Sequence, residues 1–433
     1  MADFASEISS GLSALRDENA RRVLVTLLEQ PGGATQSDIV SATGLARSTV
    51  SILLSDTLRP VLSFEARDEG ERGPPPRVWS VAVDAAFSVG LDIGKSHLAA
   101  ALADPYGRLL GSPRVRLLDT LKDPDLVLNI AGEMVEEVVG TASKCRRIAA
   151  VTVGVPGTVD RERGFLVDPD AKGWHEFDIP EAVERRWPFP EAPRVEIEND
   201  ANLGALGEFR YGAGRDCESL LFIKWSTGIG SGLILGAKLW HGKSGAAGEI
   251  GHLTVNPSKS DRTALGLASR SDAQRCPRCE QRECIEMVAG GAALARAVGV
   301  EDFRTVIEWA YDEDSRRRAR ARAALGAAAK LIGTAIGPVL TMLNVERVVV
   351  GGVGGRDAFP LVVDSMRRGV DQSAPPRARR DAEILPSELG DEAYVRGAAA
   401  SGFARHGIDR LYSQASGPAS EKARSERGAI LAS

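Results

Sequence analysis

Residues 87–110, FSVGLDIGKSHLAAALADPYGRLL, carry the pattern that decides the fold. Three short apolar runs within this stretch are separated by turns that contain glycine, at 87–93, 97–103 and 108–110. Such spacing is typical of an antiparallel meander. An amphipathic helix is predicted at 126–139, and the apolar run at 148–155 predicts a strand that is buried on both faces. Together these elements predict an α/β lobe built on one sheet.

A comparable series of elements recurs further along the chain. It comprises two strands, a group of helices, a third strand and a last helix, at 219–225, 232–239, 291–343, 345–350 and 357–369. Two α/β lobes with Gly-rich connections imply a cleft between them, and such clefts bind small molecules. The expected fold class is therefore α/β, with a two-lobed module as its main part.

The overall composition is that of a soluble globular protein. The 433 residues include 54 Lys and Arg against 59 Asp and Glu, a formal net charge of −5, with 43% hydrophobic and 26% charged residues. These values exclude the disordered and fibrous classes. No window approaches the roughly 18 unbroken apolar residues that cross a bilayer, and the first residues do not resemble a signal peptide. We therefore expect a cytoplasmic protein without a membrane partner.

The N-terminal residues have helix-turn-helix spacing. Three helices are predicted, at 18–30, 36–43 and 46–58. Gly44 supplies the permissive backbone of a tight turn between the second and third helices. With the apolar side chains turned inward, four polar side chains are exposed at the start of the third helix: Arg47, Ser48, Thr49 and Ser51. Their guanidinium and hydroxyl groups suit contacts with the phosphates and base edges of double-stranded DNA.

The stretch at 61–81 predicts a strand, a charged turn and a second strand, which would form the wing of a winged helix-turn-helix. Pro74, Pro75 and Pro76 stiffen the chain and mark a domain boundary near residue 80. Acidic residues outnumber arginines in residues 1–80, so the prediction of DNA binding depends on helix spacing and not on charge. The alternative is a helical cap or dimerisation arm that does not touch DNA.

Six motifs occur in an order that resembles the ROK family, the repressors and sugar kinases with the actin-like ATPase fold. They are residues 87–110, VGVPGTVD (153–160), EIENDANLGALGEF (196–209), WSTGIGSGLILGAKLWHGKSGAAGEIGHLTVNP (225–257), CPRCEQRECIE (276–286) and VVVGGVGG (348–355). The resemblance implies two kinase-like lobes, at 85–205 and 206–410, with the C-terminal helix packing back on the first lobe. The family's transcriptional branch, of the xylose and N-acetylglucosamine repressor type, adds a helix-turn-helix like the one predicted at 1–80. The composition of 411–433 predicts a disordered tail.

The resemblance implies a sugar site built from polar residues of several motifs: Asp170, Asn199, Asp200, Glu249, His252 and Glu286. Asp200 matches the family's catalytic base, and Asn199 matches one of its sugar ligands. On the dipeptide alone, an ordinary Asn-Asp turn is an equal alternative. The family usually has Asn where this chain has Asp170, and a carboxylate accepts hydrogen bonds but does not donate them. The ligand preference is therefore expected to differ from glucose.

Three of the five cysteines, Cys276, Cys279 and Cys284, lie within nine residues, which indicates a metal cluster rather than a disulfide framework. Zinc takes four ligands in a tetrahedron, and the resemblance makes His252 the fourth. Such a closed shell implies a structural zinc ion that holds the loop carrying His252 and Glu286. The family's segment usually runs Cys-x-Cys-Gly-x-x-Gly-Cys; here the first gap is one residue longer and both glycines are absent. The alternative is three unliganded thiols.

The residues that match the family's nucleotide site depart further from the family pattern. The matching positions are Asp92, Gly94, Thr227, Gly228, Gly351 and Gly352. Family kinases carry Asp-x-Gly-Gly-Thr in the first loop, where two glycines let backbone amides approach the phosphates. Here Lys95 and Ser96 replace the second glycine and the threonine. Binding of ATP and Mg²⁺ is compatible with the preserved second loop at 227–232, but the first loop predicts poor turnover.

The sequence therefore favours a sugar-responsive transcriptional regulator of carbohydrate metabolism, a repressor that is not an enzyme. The alternative is an ATP-dependent hexose kinase with an accessory DNA-binding arm, which Asp200 and the intact second loop favour. The third hypothesis is a purely structural scaffold. Because symmetric operators bind symmetric proteins, we expect a homodimer or homotetramer.

Overall fold

The computed structural model describes residues 2–66, 76–120, 123–140, 147–160, 165–166, 173–174, 177–187, 189, 193–267, 269, 275–405, 408–409 and 411–412. The helices are α1 (Ala2–Leu28), α2 (Gln36–Thr43), α3 (Arg47–Ile52), α4 (Pro124–Gly140), α5 (Ile179–Arg186), α6 (Asp200–Tyr211), α7 (Lys259–Ala264), α8 (Ile285–Ala289), α9 (Gly291–Val298), α10 (Phe303–Ala310), α11 (Ser315–Leu343), α12 (Gly352–Asp357), α13 (Phe359–Ser373), α14 (Pro376–Asp381) and α15 (Glu392–Arg405). The strands are β1 (Ala34–Thr35), β2 (Leu62–Ala66), β3 (Arg77–Val81), β4 (Phe87–Gly94), β5 (His97–Ala103), β6 (Arg114–Leu117), β7 (Ile148–Val155), β8 (Val159–Asp160), β9 (Phe165–Leu166), β10 (Arg194–Asn199), β11 (Leu220–Trp225), β12 (Ile229–Leu235), β13 (Lys238–Leu239), β14 (Arg347–Gly351) and β15 (Glu383–Pro386).

The N-terminal unit consists of α1, α2, α3 and the small sheet β1-β3-β2. Thr35 caps α2 in a reciprocal capping box with Asp38, and Gly44 ends that helix in the left-handed conformation, with φ 66°. The third helix is α-helical only to Ile52 and continues as a π-helical turn over 53–57. Strands β2 and β3 form the antiparallel pair that the sequence predicts, while the charged turn between them lies outside the described residues.

The first large sheet has the order β10-β7-β4-β5-β6, with β4, β7 and β10 parallel and β4, β5 and β6 antiparallel. The prediction of a strand at 108–110 is wrong. In the structure Leu109 makes only an isolated bridge to Ala103, and the third strand of the meander is β6. The reason is local, because the Asp104 carboxylate accepts hydrogen bonds from the backbone of Tyr106 and Arg108 and so prolongs the turn.

The second large sheet has the order β13-β12-β11-β14-β15 and is covered by the helices that follow β13. Its longest helix, α11, packs closely along α13, where a Cβ on Gly333 would lie 2.0 Å from the Met366 carbonyl oxygen. By length and composition alone α11 could span a bilayer, but 67% of its most apolar window is buried in the fold. It is the core helix of this half of the molecule.

Helices α6 and α15 pack against each other and against the sheets. A Cβ on Gly397 would lie 1.9 Å from the Leu203 carbonyl oxygen, and a Cβ on Gly90 would lie 2.2 Å from the Ala399 nitrogen. Helix α15 therefore lies backbone to backbone on α6 and on β4, and only glycine allows this approach. The predicted disordered tail falls almost wholly outside the described residues, which end at Tyr412.

Candidate functional site

The polar residues singled out in the sequence gather where the strands of the first sheet end. Asp92 lies near the end of β4, and Asn199 is the last residue of the parallel strand β10. Ligands of open α/β sheets bind at the carboxyl ends of parallel strands. The second sheet faces the same place with Lys224, which lies on β11 opposite Gly230 of β12 and Gly351 of β14.

Asn199 has two structural partners. Its side-chain oxygen accepts a hydrogen bond from the Asn202 backbone at 3.1 Å, which caps α6, and its side-chain nitrogen donates to the Gly157 carbonyl at 2.8 Å. This cap fixes Asp200 in the first turn of the helix, where its side chain is buried. The helix N-terminus favours a carboxylate at that position.

Asp200 forms an ion pair with Lys224, which is not among the site residues predicted from the sequence. The Lys224 ammonium donates a short hydrogen bond to Asp200 Oδ2 and lies 4.8 Å from the ring centre of Tyr394. Burial would lower the pKa of Lys224, but the negative charges of Asp200 and Asp92 outweigh it and raise the pKa above its ordinary value. Burial also raises the pKa of the Tyr394 hydroxyl well above its usual range. The lysine is therefore held charged between carboxylates.

Asp92 lies beside this pair and is almost wholly buried, with 1% of its surface exposed. Its Oδ2 is 2.9 Å from His97 Nε2, and this hydrogen bond raises the pKa of the histidine although burial opposes the shift. Among the described residues its Oδ1 has no hydrogen-bond partner. A buried carboxylate oxygen without a hydrogen bond is stabilised only by a nearby positive charge, and Lys224 supplies one.

A small pocket lies beside Asn199 and is closed by side chains of both halves. Its lining residues are Thr158, Val159, Glu198, Asn199, Asn202, Ser231, Gly245, Ala247 and Glu249. His241 Nε2 is 2.8 Å from Glu198 Oε2, and the Thr158 hydroxyl donates to Glu249 at 3.4 Å. The cavity measures about 10 Å³. Ligand pockets are typically roughly 300–1,000 Å³, so a sugar enters only if these contacts open.

Side chains of the chain itself lie against one glycine in each of the two loops expected to bind phosphates. A Cβ on Gly94 would lie 2.1 Å from the His97 ring, and a Cβ on Gly228 would lie 2.4 Å from Glu286 Oε2. The same Glu286 oxygen accepts the backbone hydrogen bond of Ile229 at 3.1 Å. This contact places a carboxylate on a backbone amide of the second glycine loop. Thr227 remains exposed at the tip of the second loop.

The four residues predicted to bind metal come together. The ligand atoms of His252, Cys276, Cys279 and Cys284 all lie within 4.8 Å of one another. Tetrahedral zinc with Zn–S bonds of about 2.3 Å needs sulfur atoms about 3.8 Å apart, so the cluster could hold a metal ion. His252 Nδ1 lies 3.7 Å from the Cys276 sulfur, while its Nε2 lies 3.7 Å from Glu249. One imidazole therefore connects the metal cluster to the rim of the pocket.

The hairpin that carries the cysteines replaces two expected glycines by Glu280 and Glu283. Both glutamates adopt the left-handed conformation, with φ 57° and 62°. Non-glycine residues pay about 1–2 kcal/mol each for this conformation. Glu283 is buried and forms an ion pair with Arg262 at 2.7 Å. Such strain persists only where the surroundings impose it, and a bound metal ion is the kind of constraint that does so.

The residues predicted to contact DNA lie at the start of α3. Arg47, Ser48 and Ser51 are exposed, and Thr49 is half-buried. Ile52 is 56% exposed at the end of α3, and it is not among the DNA-contacting residues predicted from the sequence. An exposed apolar side chain suits contact with a thymine methyl group.

The described residues thus bring together most of the predicted sugar positions, but not all in one pocket. Asn199 and Glu249 line it, whereas Asp200 faces Lys224 and Glu286 faces the second glycine loop. Asp170 lies outside the described residues. The sequence signal that could have revealed Lys224 is a single charge within the apolar strand LLFIKW.

Comparisons with known proteins agree with this architecture. The family model described as the ROK family matches residues 88–402. A crystal structure of a ROK family transcriptional regulator, described as a homologue of the E. coli MLC protein, superimposes with a TM-score of 0.70 at 21% identity, covering 93% of this chain and 98% of that one. At that identity the likeness establishes the fold.

Two curated relatives differ in kind, one named a repressor and the other a kinase. The xylose repressor of Bacillus subtilis (strain 168) is 25% identical over 371 residues, which cover 84% of this chain and 89% of that protein. The glucokinase of Halalkalibacterium halodurans is 27% identical over 325 residues, which cover 71% of this chain and 92% of that protein.

Proposed function

Because the chain belongs to the ROK family, we propose that it is a sugar-responsive transcriptional repressor of carbohydrate metabolism and not a sugar kinase. The observation that carries this proposal is the N-terminal unit, a set of three helices and an antiparallel strand pair that precedes the family module. The match to a xylose repressor extends over more of the chain than the match to a glucokinase. This difference in coverage supports a role that needs the added unit.

We assign DNA binding to this unit, which has the element order of a winged helix-turn-helix. Helix α3 would enter the major groove, with Arg47, Ser48, Thr49 and Ser51 toward the bases and phosphates. Ile52 extends the same exposed surface. The strand pair β2 and β3 would form the wing. A homodimer or homotetramer would place two such units on a symmetric operator.

The kinase-like cleft would bind the sugar without phosphorylating it. Phosphoryl transfer depends on positioning and charge stabilisation at the phosphates, and here His97 and Glu286 lie against one glycine in each loop. Asp200, at the position of the catalytic base, forms an ion pair with Lys224 through Oδ2. Sugar binding needs none of these phosphate contacts, so a regulator tolerates their loss.

Ligand binding has a direct structural route to the DNA-binding unit. The sugar would act on Asn199 and Asp200 at the start of α6, and α6 lies backbone to backbone on α15. Beyond α15, Ile408 and Leu411 are buried in the core of the N-terminal unit together with Leu24. Opening the pocket for a sugar would therefore shift the C-terminal segment and α1 with it, and the two conformations would differ in affinity for DNA.

The metal cluster would hold a structural zinc ion. Three thiolates and one imidazole form the closed shell that zinc takes in structural sites. The ion would fix the ring of His252, whose other nitrogen faces Glu249 at the pocket rim.

The second candidate is an ATP-dependent hexose kinase. The glucokinase relative and the buried carboxylate of Asp200 favour it. Steady-state ATP turnover over a panel of hexoses separates the two functions, because kinases turn over at roughly 1–100 per second. Turnover in that range by the unmodified chain would establish the kinase.

DNA binding is tested with a duplex that the full-length chain selects from a random library. Replacing Arg47 by Ala should weaken binding by roughly 1–3 kcal/mol, the value of one good base contact. The matched control is Arg316→Ala, which removes an equally exposed arginine from the start of α11. Fluorescence anisotropy gives both affinities. Failure to select any duplex, or equal loss in the two variants, would refute the assignment of DNA binding to α3.

A further inference from the structure

The cleft contains a half-buried cation of its own. Lys224 lies on β11 of the second sheet and forms an ion pair with Asp200 at the start of α6. It also interacts electrostatically with Asp92 on β4 of the first sheet. Its side chain is 20% exposed, and those of Asp200 and Asp92 are 6% and 2% exposed. The three charged groups therefore meet where both sheets face the cleft.

Lys224 compensates part of the negative charge at this point without any added ion. Two buried carboxylates left alone would repel each other and would attract a divalent cation, because hard cations prefer carboxylate oxygens. Lys224 forms an ion pair with Asp200 and interacts electrostatically with Asp92, and His97 Nε2 lies 2.9 Å from Asp92 Oδ2. The face of the Tyr394 ring completes the ammonium site at 4.8 Å. Asp92 Oδ1, which has no hydrogen-bond partner among the described residues, is the group that most needs this charge.

We infer that Lys224 is a resident cation that takes the place of a divalent metal ion beside Asp92 and Asp200, so that the site holds its ligand without a metal–nucleotide complex. An ammonium ion forms hydrogen bonds and no coordination bonds, and as part of a side chain it cannot leave with a product. This inference deepens the proposed function and rests on it in treating the cleft as a ligand site.

The test is Mn²⁺ binding, followed by electron paramagnetic resonance on the full chain with its zinc site loaded and with neither sugar nor DNA present. The wild-type cleft should leave Mn²⁺ free. Lys224→Met removes the charge at similar length and should bind one Mn²⁺ at least roughly tenfold more tightly, because the two carboxylates then lose the ammonium charge. Adding Asp200→Asn to Lys224→Met should abolish the gain, whereas Lys224→Arg should behave as the wild type.

Two results would overturn the inference. One is Mn²⁺ binding by the wild type that disappears in Asp200→Asn, which would show that the carboxylates accept a metal beside the lysine. The other is a Lys224→Met protein that binds Mn²⁺ no better than the wild type. If Lys224→Met does not fold, Lys224→Gln is the second neutral variant, and the comparison of wild type with Asp200→Asn stands by itself. Because no DNA or sugar is present, these outcomes are independent of whether the protein is a repressor.

Discussion

At the scale of single residues, His97 should make the stability of the protein depend on pH. Its hydrogen bond to Asp92 raises the pKa of the imidazole, against burial and the nearby charge of Lys224. A raised pKa in the folded state stabilises the fold fully below the ordinary value of 6.5, and this contribution is lost as the pH rises through the raised pKa.

We therefore expect His97→Gln to lower the free energy of unfolding by roughly 1–2 kcal/mol at about pH 5.5 and by clearly less at about pH 9. Urea unfolding at the two pH values measures the difference. An equal loss at both values would mean that the charged imidazole contributes nothing and that only packing is lost.

Single residues also show the limits of what the sequence predicts. The cysteine spacing identified three metal-binding candidates, and the structure brings them together with His252. Lys224 and His241 were not predicted, because their importance arises from partners 24 and 43 positions away in the chain, Asp200 and Glu198. A long-range ion pair leaves no periodic pattern in the sequence.

At the scale of elements, the hairpin of the three cysteines should depend on its metal. Cys279→Ser and Cys284→Ser should each lose one zinc per chain, and sugar affinity should fall by roughly tenfold because the ring of His252 is no longer fixed beside Glu249. Cys217→Ser is the control, since this buried cysteine lies outside the cluster and donates to the Gly214 carbonyl.

Elemental analysis of protein purified without chelator gives the metal content, and calorimetry gives the sugar affinity. If the wild-type protein contains no zinc, the prediction of a structural metal site is wrong. Zinc loss without any change in sugar affinity would show that the hairpin and the pocket are independent.

The segment after α15 should transmit the effect of sugar binding to the N-terminal unit. Arg21 of α1 donates to Asp409 at 2.6 Å, and the Tyr412 hydroxyl donates a short hydrogen bond to Asp17. The double variant Arg21→Gln with Tyr412→Phe should still bind DNA but respond several-fold less to sugar, since typical coupling energies are about 1–3 kcal/mol.

The control for this variant is Arg215→Gln, which breaks an exposed pair with Glu388 at 3.1 Å far from the N-terminal unit. DNA affinity is measured with and without saturating sugar in each protein. An unchanged response in the double variant would show that the signal takes another route.

At the scale of the whole molecule, periodicity predicted most elements because apolar side chains must face a core. Strand β7 and helix α2 have the bounds that the sequence predicts, and β6 was misplaced because a local turn at Asp104 overrides the apolar pattern. The close packing of α15 on β4 depends on Gly90, and its close packing on α6 depends on Gly397. The sequence pattern does not relate either glycine to the helix or strand that it contacts. The closed state of the pocket likewise follows from contacts between the two halves.

The most direct test of the central claim is the affinity of the full chain for its selected duplex, titrated with unphosphorylated pentoses and hexoses in the absence of ATP and Mg²⁺. We predict that at least one sugar changes the dissociation constant by roughly 5- to 150-fold, the usual range of allosteric coupling. Asp200→Asn should retain DNA binding and lose this response. An affinity for DNA that no sugar alters, together with ATP-dependent phosphorylation of one of them, would contradict the account.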